Sequence, residues 1–222
     1  MLAFSSLLGN VEGQNIYRIW YDKPASYWEE ALPVGNGRIA AMVFGDPQLE
    51  QIQLNEETVS AGSPYQNYNE EAKTALPEMR RLIFEGKYEE AQNMAATKIL
   101  SQVGNEMPYQ TVGRLNIRYQ DHKKVNNYYR DLDISNAVAV TRYEVDGVEF
   151  TEETFASFTD QLVIRHIKAS KPGTINCELF FNTPMRDPKR SIYGKKGLRL
   201  EGITHGLAVI FRVKCTIVPI WM

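Results

Sequence analysis

"LPVGNGRIAAMVFGDPQLEQIQLNEETV", Leu32–Val59, is the stretch that decides the fold class, because its glycines permit two interpretations. A dinucleotide-binding loop needs the pattern Gly-x-Gly-x-x-Gly between a strand and a helix. The third glycine is missing here, and the following "RIAAMVF" is typical of a strand. Asn36-Gly37 is instead typical of a tight hairpin turn. We therefore predict that Arg38–Phe44 and Gln51–Thr58 are paired strands.

Most of the remaining chain alternates between apolar and other residues with a period of two. The segments "GRLNIRY", "NAVAVTRYEV" and "QLVIRHIKA" show this pattern, several with both faces partly apolar. Such strands are typical of the interior of a β-sandwich. Asp146-Gly147 separates two of the strands and predicts a second tight hairpin. The pattern predicts a mainly β protein, a large antiparallel β-sandwich.

Residues 69–100 interrupt this pattern with apolar positions at helical spacing. Asn69 is suited to cap a helix start and Gly86 to end one, whereas Pro77 should kink the helix or begin another. We predict a two-helix insertion at 69–100. The residues expected to pack these helices are Leu82, Ile83, Tyr88 and Ala91.

Composition excludes several classes of function. The net charge is −2 and the lysines and arginines are scattered, so we expect no nucleic-acid partner. No apolar run approaches the roughly 20 residues that a membrane helix needs, so we expect no membrane partner. Two cysteines and three histidines lack metal-ligand spacing, and we expect neither a metal nor a cofactor. Residues 1–16 are interpreted as a flexible leader or the remnant of a signal peptide.

The polar end of the Leu32–Val59 stretch is the only candidate site. Asn55, Glu56 and Glu57 are interpreted either as a solvated strand end or as part of a surface facing a sugar or another domain. Adjacent residues of a strand point to opposite faces, so Glu56 and Glu57 cannot form one acid/base pair. We name Asn55 and Glu56 as substrate-binding or domain-interface residues and no residue as catalytic. The aromatic-rich "YRIWYDKPASYWEEALP" fits sugar stacking or a core or interface anchor.

Several blocks resemble one family in their order along the chain. They begin with "WYDKPASYWEEALPVGNGRIAAMVFGDPQLEQIQLNEETVSAG" and continue through "EMRRLIFEGKYEEAQ", "YQTVGRLNIRY" and "YYRDLDISNAVAVTRYEVDGVEFTEETFASFTDQLVIRHIKASKPGTI". This series, from about residue 19 to 185, is similar to the opening of glycoside hydrolase family ninety-five, the α-L-fucosidases and their relatives.

The resemblance implies an amino-terminal β-sandwich, similar to that of maltose phosphorylases, and an inverting (α/α)₆ catalytic barrel after it. It implies a fucosylated glycan as the substrate of the full-length protein and a periplasmic or secreted location. None of the acids here matches the family's catalytic positions, so we expect this chain to be a fragment that is inactive alone. We assign 17–205 to the sandwich and 206–222 to a divergent or truncated tail of it. The alternative is an independent carbohydrate-binding or structural β-sandwich module.

Overall fold

A computed structural model describes residues 17–60, 68–101 and 109–204, together with the backbone of a strand at 210–216. Within these ranges the chain forms thirteen β-strands and two α-helices. The strands are β1 (Arg18–Tyr21), β2 (Leu32–Gly35), β3 (Ile39–Val43), β4 (Leu49–Glu56), β5 (Gly113–Tyr119), β6 (Val125–Asp133), β7 (Val138–Val145), β8 (Val148–Ser157), β9 (Leu162–Ala169), β10 (Cys177–Asn182), β11 (Arg186–Tyr193), β12 (Gly197–Ile203) and β13 (Ile210–Thr216). The helices are α1 (Ala72–Phe84) and α2 (Tyr88–Met94), the second continuing into a π-helical turn at Ala95–Ile99.

The strands form three antiparallel sheets. Sheet I has the order β1-β6-β7-β8-β9, sheet II the order β10-β5-β4-β3-β2, and sheet III the order β11-β12-β13. Sheets I and II stack face to face, with β2 and β3 lying against β6 to β9. Their apolar inner faces form the main core: Leu32, Val34, Ala41, Val43, Ile52, Ile117, Leu132 and Ala139. The predicted antiparallel β-sandwich is confirmed.

The Asn36-Gly37 turn joins β2 to β3 as predicted. Gly37 has φ of +90°, a conformation that favours glycine. The Asn36 side chain is buried; its Oδ1 accepts the N–H groups of Arg38 and Ile39 at 3.1 and 2.9 Å. Its amide group donates to the carbonyl of Ser157 at 2.8 Å. The turn therefore also fastens sheet II to the end of β8 in sheet I.

The other local predictions agree with the strands. β3 pairs with β4 from Ile39–Glu56 to Val43–Ile52, so β4 ends two residues before the predicted boundary. In the second hairpin, Val145 pairs with Val148, and both Asp146 and Gly147 have positive φ. Two positive φ values in a two-residue turn are those of type I′, the turn that matches strand twist.

The two-helix insertion is confirmed, but part of its predicted packing is wrong. Leu82 and Ala91 are buried, whereas Ile83 is 42% and Tyr88 69% exposed. Helix α1 continues through Pro77 and is terminated at Gly86. There the N–H of Gly86 donates to the carbonyl of residue 83, and the N–H of residue 87 donates to the carbonyl of residue 82. This pair of bonds is a Schellman cap. Only one stripe of each short helix faces its neighbour, which leaves the adjacent apolar residues exposed.

The helix start also differs in detail. α1 begins at Ala72, and Glu71 occupies the capping position without a side-chain bond. Asn69 instead accepts the N–H of Glu71 at 3.0 Å and so closes the turn before the helix. At the chain ends, the predicted leader 1–16 lies outside the described residues. Within the predicted tail 206–222, β13 extends sheet III by pairing with β12, and the remaining residues lie outside the description.

Candidate functional site

Glu56 lies on the inner face of sheet II, at the end of β4. Its side chain is 8% exposed; Oε1 accepts Arg38 Nε at 3.0 Å, and Oε2 accepts the N–H and hydroxyl of Thr58 at 2.9 and 2.5 Å. Burial alone would raise the pKa of Glu56, but the bonds from Thr58 and Arg38 outweigh it and lower the pKa. The solvated-end interpretation is therefore wrong for Glu56, whereas Glu57 is exposed.

Substitution of Glu56 by alanine should lower the free energy of unfolding by about 1–2 kcal/mol, because the Thr58 N–H and Arg38 lose their acceptor. Urea unfolding of the purified chain measures this difference. Glu57→Ala is the matched control and should stay within about 0.5 kcal/mol of the unaltered chain. Equal losses for the two variants would show that the Glu56 bonds do not stabilise the fold.

Asn55 points the opposite way, onto the outer face of sheet II beside Ala40. Its Oδ1 is buried and has no hydrogen-bond partner among the described residues. An unsatisfied buried acceptor costs about 1–3 kcal/mol unless a bound group supplies a donor. The structure therefore does not bring Asn55 and Glu56 together, and only Asn55 keeps unused hydrogen-bonding capacity.

A group of charged side chains that the sequence did not predict joins the two sheets. We call Glu50, Glu152 and Arg165 the ion cluster. Arg165 of β9 is 7% exposed, and its Nη2 bonds Glu50 Oε2 at 2.6 Å as well as Glu152 Oε2 of β8. Its Nη1 donates to Thr154 at 2.7 Å, and Glu50 Oε1 accepts the Gly45 N–H at 2.9 Å. One guanidinium thus bridges a carboxylate from each sheet.

Aromatic side chains close the other side of the ion cluster. The hydroxyls of Tyr119 and Tyr143 donate to Glu152 Oε1 at 2.7 and 2.6 Å. His122 stacks on Tyr119 with ring centroids 4.4 Å apart, and its Nδ1 lies 3.0 Å from the carbonyl oxygen of Pro47. Burial and the Glu152 carboxylate raise the pKa of both tyrosines, so they remain protonated donors. Both Glu152 oxygens are therefore held by the protein itself.

The charge of the cluster does not balance, because two carboxylates share one guanidinium. Burial raises the pKa of Glu50 to about 7, more than its neighbour Arg165 lowers it. Burial would lower the pKa of Arg165, but Glu152 and Glu50 outweigh it and raise the pKa. A carboxyl group with a raised pKa suits a general acid. Glu50 is fully buried, however, so no substrate reaches it, and the cluster serves to hold the sheets together.

The sequence did carry a signal for the ion cluster. Charged residues are almost never fully buried unless they are paired. Each member occupies the inward position in the alternation of its strand: Glu50 precedes Ile52 by two residues, Glu152 follows Phe150 by two, and Arg165 lies between Val163 and Ile167. Two acidic residues and one arginine, all at inward positions of their strands, would have predicted a buried ion pair.

The aromatic-rich segment near residue 20 divides between core and surface. Arg130 is fully buried and donates to the carbonyls of Lys23 and Glu30, both at 2.7 Å, with its guanidinium 4.1 Å from the centre of the Tyr21 ring. It thereby holds the loop between β1 and β2, including the 3₁₀ turn Trp28–Glu30. Four aromatic side chains of the segment remain at least half exposed: Tyr17, Trp20, Tyr27 and Trp28.

Two further acids line an open depression beside this loop. Asp22 and Asp46 lie there with Tyr128, and Asp46 Oδ1 accepts the N–H groups of Gln48 and Leu49 at 2.8 and 3.1 Å. The depression is open to water, unlike a site for glycoside cleavage. No group of three or more metal-binding side chains is arranged to hold an ion in the described ranges. Of the helices described, none has both the length and the apolar character to cross a membrane.

Comparison with known proteins gives the family. The sequence model described as "Glycosyl hydrolase family 65, N-terminal domain" matches residues 19–216. The chain is 37% identical over 181 residues to "Alpha-L-fucosidase 2" of Arabidopsis thaliana, covering 79% of this chain and 21% of that protein. It is 27% identical over 214 residues to "Probable alpha-fucosidase A" of Aspergillus niger, covering 90% and 26%.

A third relative, "Probable alpha-fucosidase A" of Aspergillus oryzae, is 25% identical over 174 residues, with 74% of this chain and 23% of that protein covered. The chain thus spans about a fifth to a quarter of the length of these relatives. The family match extends from β1 to the end of β13 and includes all three sheets. The chain therefore belongs to the family described as glycosyl hydrolase family 65, N-terminal domain.

Proposed function

We propose that the chain is the amino-terminal sandwich of an inverting α-L-fucosidase-type enzyme, where it supports an (α/α)₆ catalytic barrel. The observation that carries the proposal is the family match over 19–216, joined by three relatives that all bear fucosidase names. The matching family is numbered 65, so the narrower assignment to family ninety-five rests on the sequence blocks and is part of the proposal. The substrate of the whole enzyme is then a fucosylated glycan.

The geometry of the acids supports a structural role for the sandwich. Glycoside cleavage needs two carboxyl groups that flank the scissile bond, about 5–10 Å apart. The most deeply buried carboxylates are instead held by arginines: Glu50 and Glu152 by Arg165, and Asp131 by Arg18 at 2.8 Å. These bonds fix the fold and leave the chemistry to another domain.

A domain exchange tests this proposal. The segment of the Arabidopsis relative that the chain matches would be replaced by the corresponding residues of this chain. We expect the chimera to release a chromogenic phenol from an aryl α-L-fucoside, and this chain alone to release none above background. Proton NMR of the first-formed sugar anomer then tests inversion.

The chimera needs a folding control. Arg165→Met in the chimera should abolish activity by disrupting the sandwich, whereas Arg142→Met, which changes an exposed arginine of sheet I, should preserve it. Turnover by this chain alone that disappears in Glu56→Ala would place an active site in the sandwich and overturn the proposal. An inactive chimera that remains folded would favour the alternative, an independent carbohydrate-binding or structural module.

A further inference from the structure

The outer face of sheet II carries a group of amide and guanidinium side chains. Gln53 pairs with Arg114, which in turn pairs with Asn182, and Gln51 pairs with Asn116 in the next row. Paired residues share a face, and neighbouring strands are about 4.8 Å apart, so these groups form a polar patch that Phe180, paired with Asn116, interrupts on β10. We call this surface the amide face; it consists of Gln51, Gln53, Asn55, Arg114, Asn116 and Asn182.

Strand formation does not account for the amide face. Asparagine is depleted in strands, where β-branched and aromatic residues are favoured. No hydrogen bond joins two of these amides in the described part of the chain; Arg114 donates to Gln51 at 2.7 Å, and Gln53 makes a long contact of 3.5 Å with Thr111. Asn116 is buried, and its amide donates to the carbonyls of Arg114 and Phe180, both at 3.3 Å. The amide donors of Gln51 and Asn182 make no hydrogen bond to another described residue, and the buried Oδ1 of Asn55 has no partner in that part of the chain.

The charges of this surface indicate which ligand it fits. Arg118, at its edge, is neutralised by Glu178 at 2.9 Å. Among the described residues of the amide face, Arg114 is therefore the one cation without a carboxylate partner, and its guanidinium lies 5.6 Å from the centre of the Phe44 ring. Amides donate and accept hydrogen bonds together, as do the hydroxyl groups of sugars. An anionic ligand would need more uncompensated cations than this surface offers.

We propose that the amide face is a contact site for neutral oligosaccharides, whose hydroxyl groups it binds through its amides and Arg114. The site lies on the outer face of sheet II and would hold a glycan beside the enzyme that carries the domain. The choice of a fucosylated glycan rests on the proposed function; the polar surface itself does not depend on it.

Nuclear magnetic resonance of the ¹⁵N-labelled full chain tests the site, with 2′-fucosyllactose as the probe. We expect saturable shifts of the side-chain NH₂ signals of Gln51, Gln53 and Asn182. The NH₂ signals of Asn127 in β6 and of Asn136 in the β6–β7 turn should stay fixed. Lactose as a second probe shows whether the fucosyl group adds to binding. Absence of shifts on the amide face, or shifts confined to another surface, would overturn the proposal.

A pair of variants separates binding from folding. Gln53→Ala/Asn182→Ala should weaken binding of the probe at least tenfold, whereas Thr151→Ala/Lys168→Ala, a cross-strand pair on the outer face of sheet I, should leave it unchanged. Equal affinities would overturn the proposal, as would amide-face shifts that depend on protein concentration without the probe. The two proposals can fail separately, because this experiment measures binding by the chain and the chimera experiment measures catalysis. An active chimera together with no probe binding would refute this site alone. An inactive chimera together with probe binding would refute the proposed function alone.

Discussion

Replacement of Arg165 by methionine is expected to lower the free energy of unfolding by about 3–5 kcal/mol at pH 7. The substitution removes the guanidinium that bridges Glu50 and Glu152 and leaves two carboxyl groups buried without a cation. Methionine keeps much of the side-chain volume, so the loss reports the charge rather than a cavity. The loss should shrink at pH 5, because burial raises the pKa of Glu50 to about 7 and its protonation removes one of the two uncompensated charges. Urea unfolding at the two pH values measures both effects.

Arg142→Met provides the matched control, since Arg142 lies on the outer face of the same sheet with a half-exposed side chain 3.7 Å from Asp131. Asp131 is buried but keeps its shorter ion pair with Arg18 at 2.8 Å, so loss of the half-exposed Arg142 should cost only about 0–1 kcal/mol. If Arg165→Met does not fold, the double variant Glu50→Gln/Arg165→Met should recover part of the stability, because it removes one uncompensated charge. A loss at Arg165 no larger than at Arg142 would show that the ion cluster does not hold the sheets together.

The ion cluster should also make the sandwich lose stability as the pH rises. The pKa of Glu50 is about 7 in the folded chain, above its usual value of 4.5. Between these values the folded chain retains a proton that the unfolded chain has released, so stability is fully present below pH 4.5 and is lost as the pH rises through about 7. The loss is roughly 3 kcal/mol for a shift of this size.

Glu50→Gln isolates this effect because glutamine cannot release the proton. Relative to the variant, the unaltered chain should lose stability from pH 4.5 to 7.5 in urea unfolding at each pH. The comparison with this variant is needed because His122 has an opposite effect on stability. Burial lowers the pKa of His122, so the unfolded chain binds its proton more readily and stability rises with pH below 6.5. Glu57→Gln, an exposed carboxylate, should run parallel to the unaltered chain. If stability changed with pH in the same way in Glu50→Gln and in the unaltered chain, the assignment of this pH dependence to Glu50 would be wrong.

The sequence predicted those features that a few neighbouring residues decide. The turns at Asn36-Gly37 and Asp146-Gly147 and the helix end at Gly86 follow from backbone conformations that glycine adopts readily. The strands follow from alternation and the helices from their spacing, because each pattern describes one side of one element. Alternation also placed Glu56 and Glu57 on opposite faces correctly, but it did not show that Arg38 and Thr58 enclose Glu56.

Only the tertiary structure decided which charged residues meet. Glu50 and Arg165 are 115 residues apart, and the stacking of sheet II on sheet I brings them to 2.6 Å. The amide face likewise depends on strand order, because β10 lies beside β5 and β5 lies beside β4. In the sequence, 56 residues separate β4 from β5. The sequence by itself determined the strands, the turns and the helical insertion, since backbone preferences act over a few residues. Strand order and sheet stacking depend on burial across the whole chain, so the ion cluster and the amide face appear only in the folded structure.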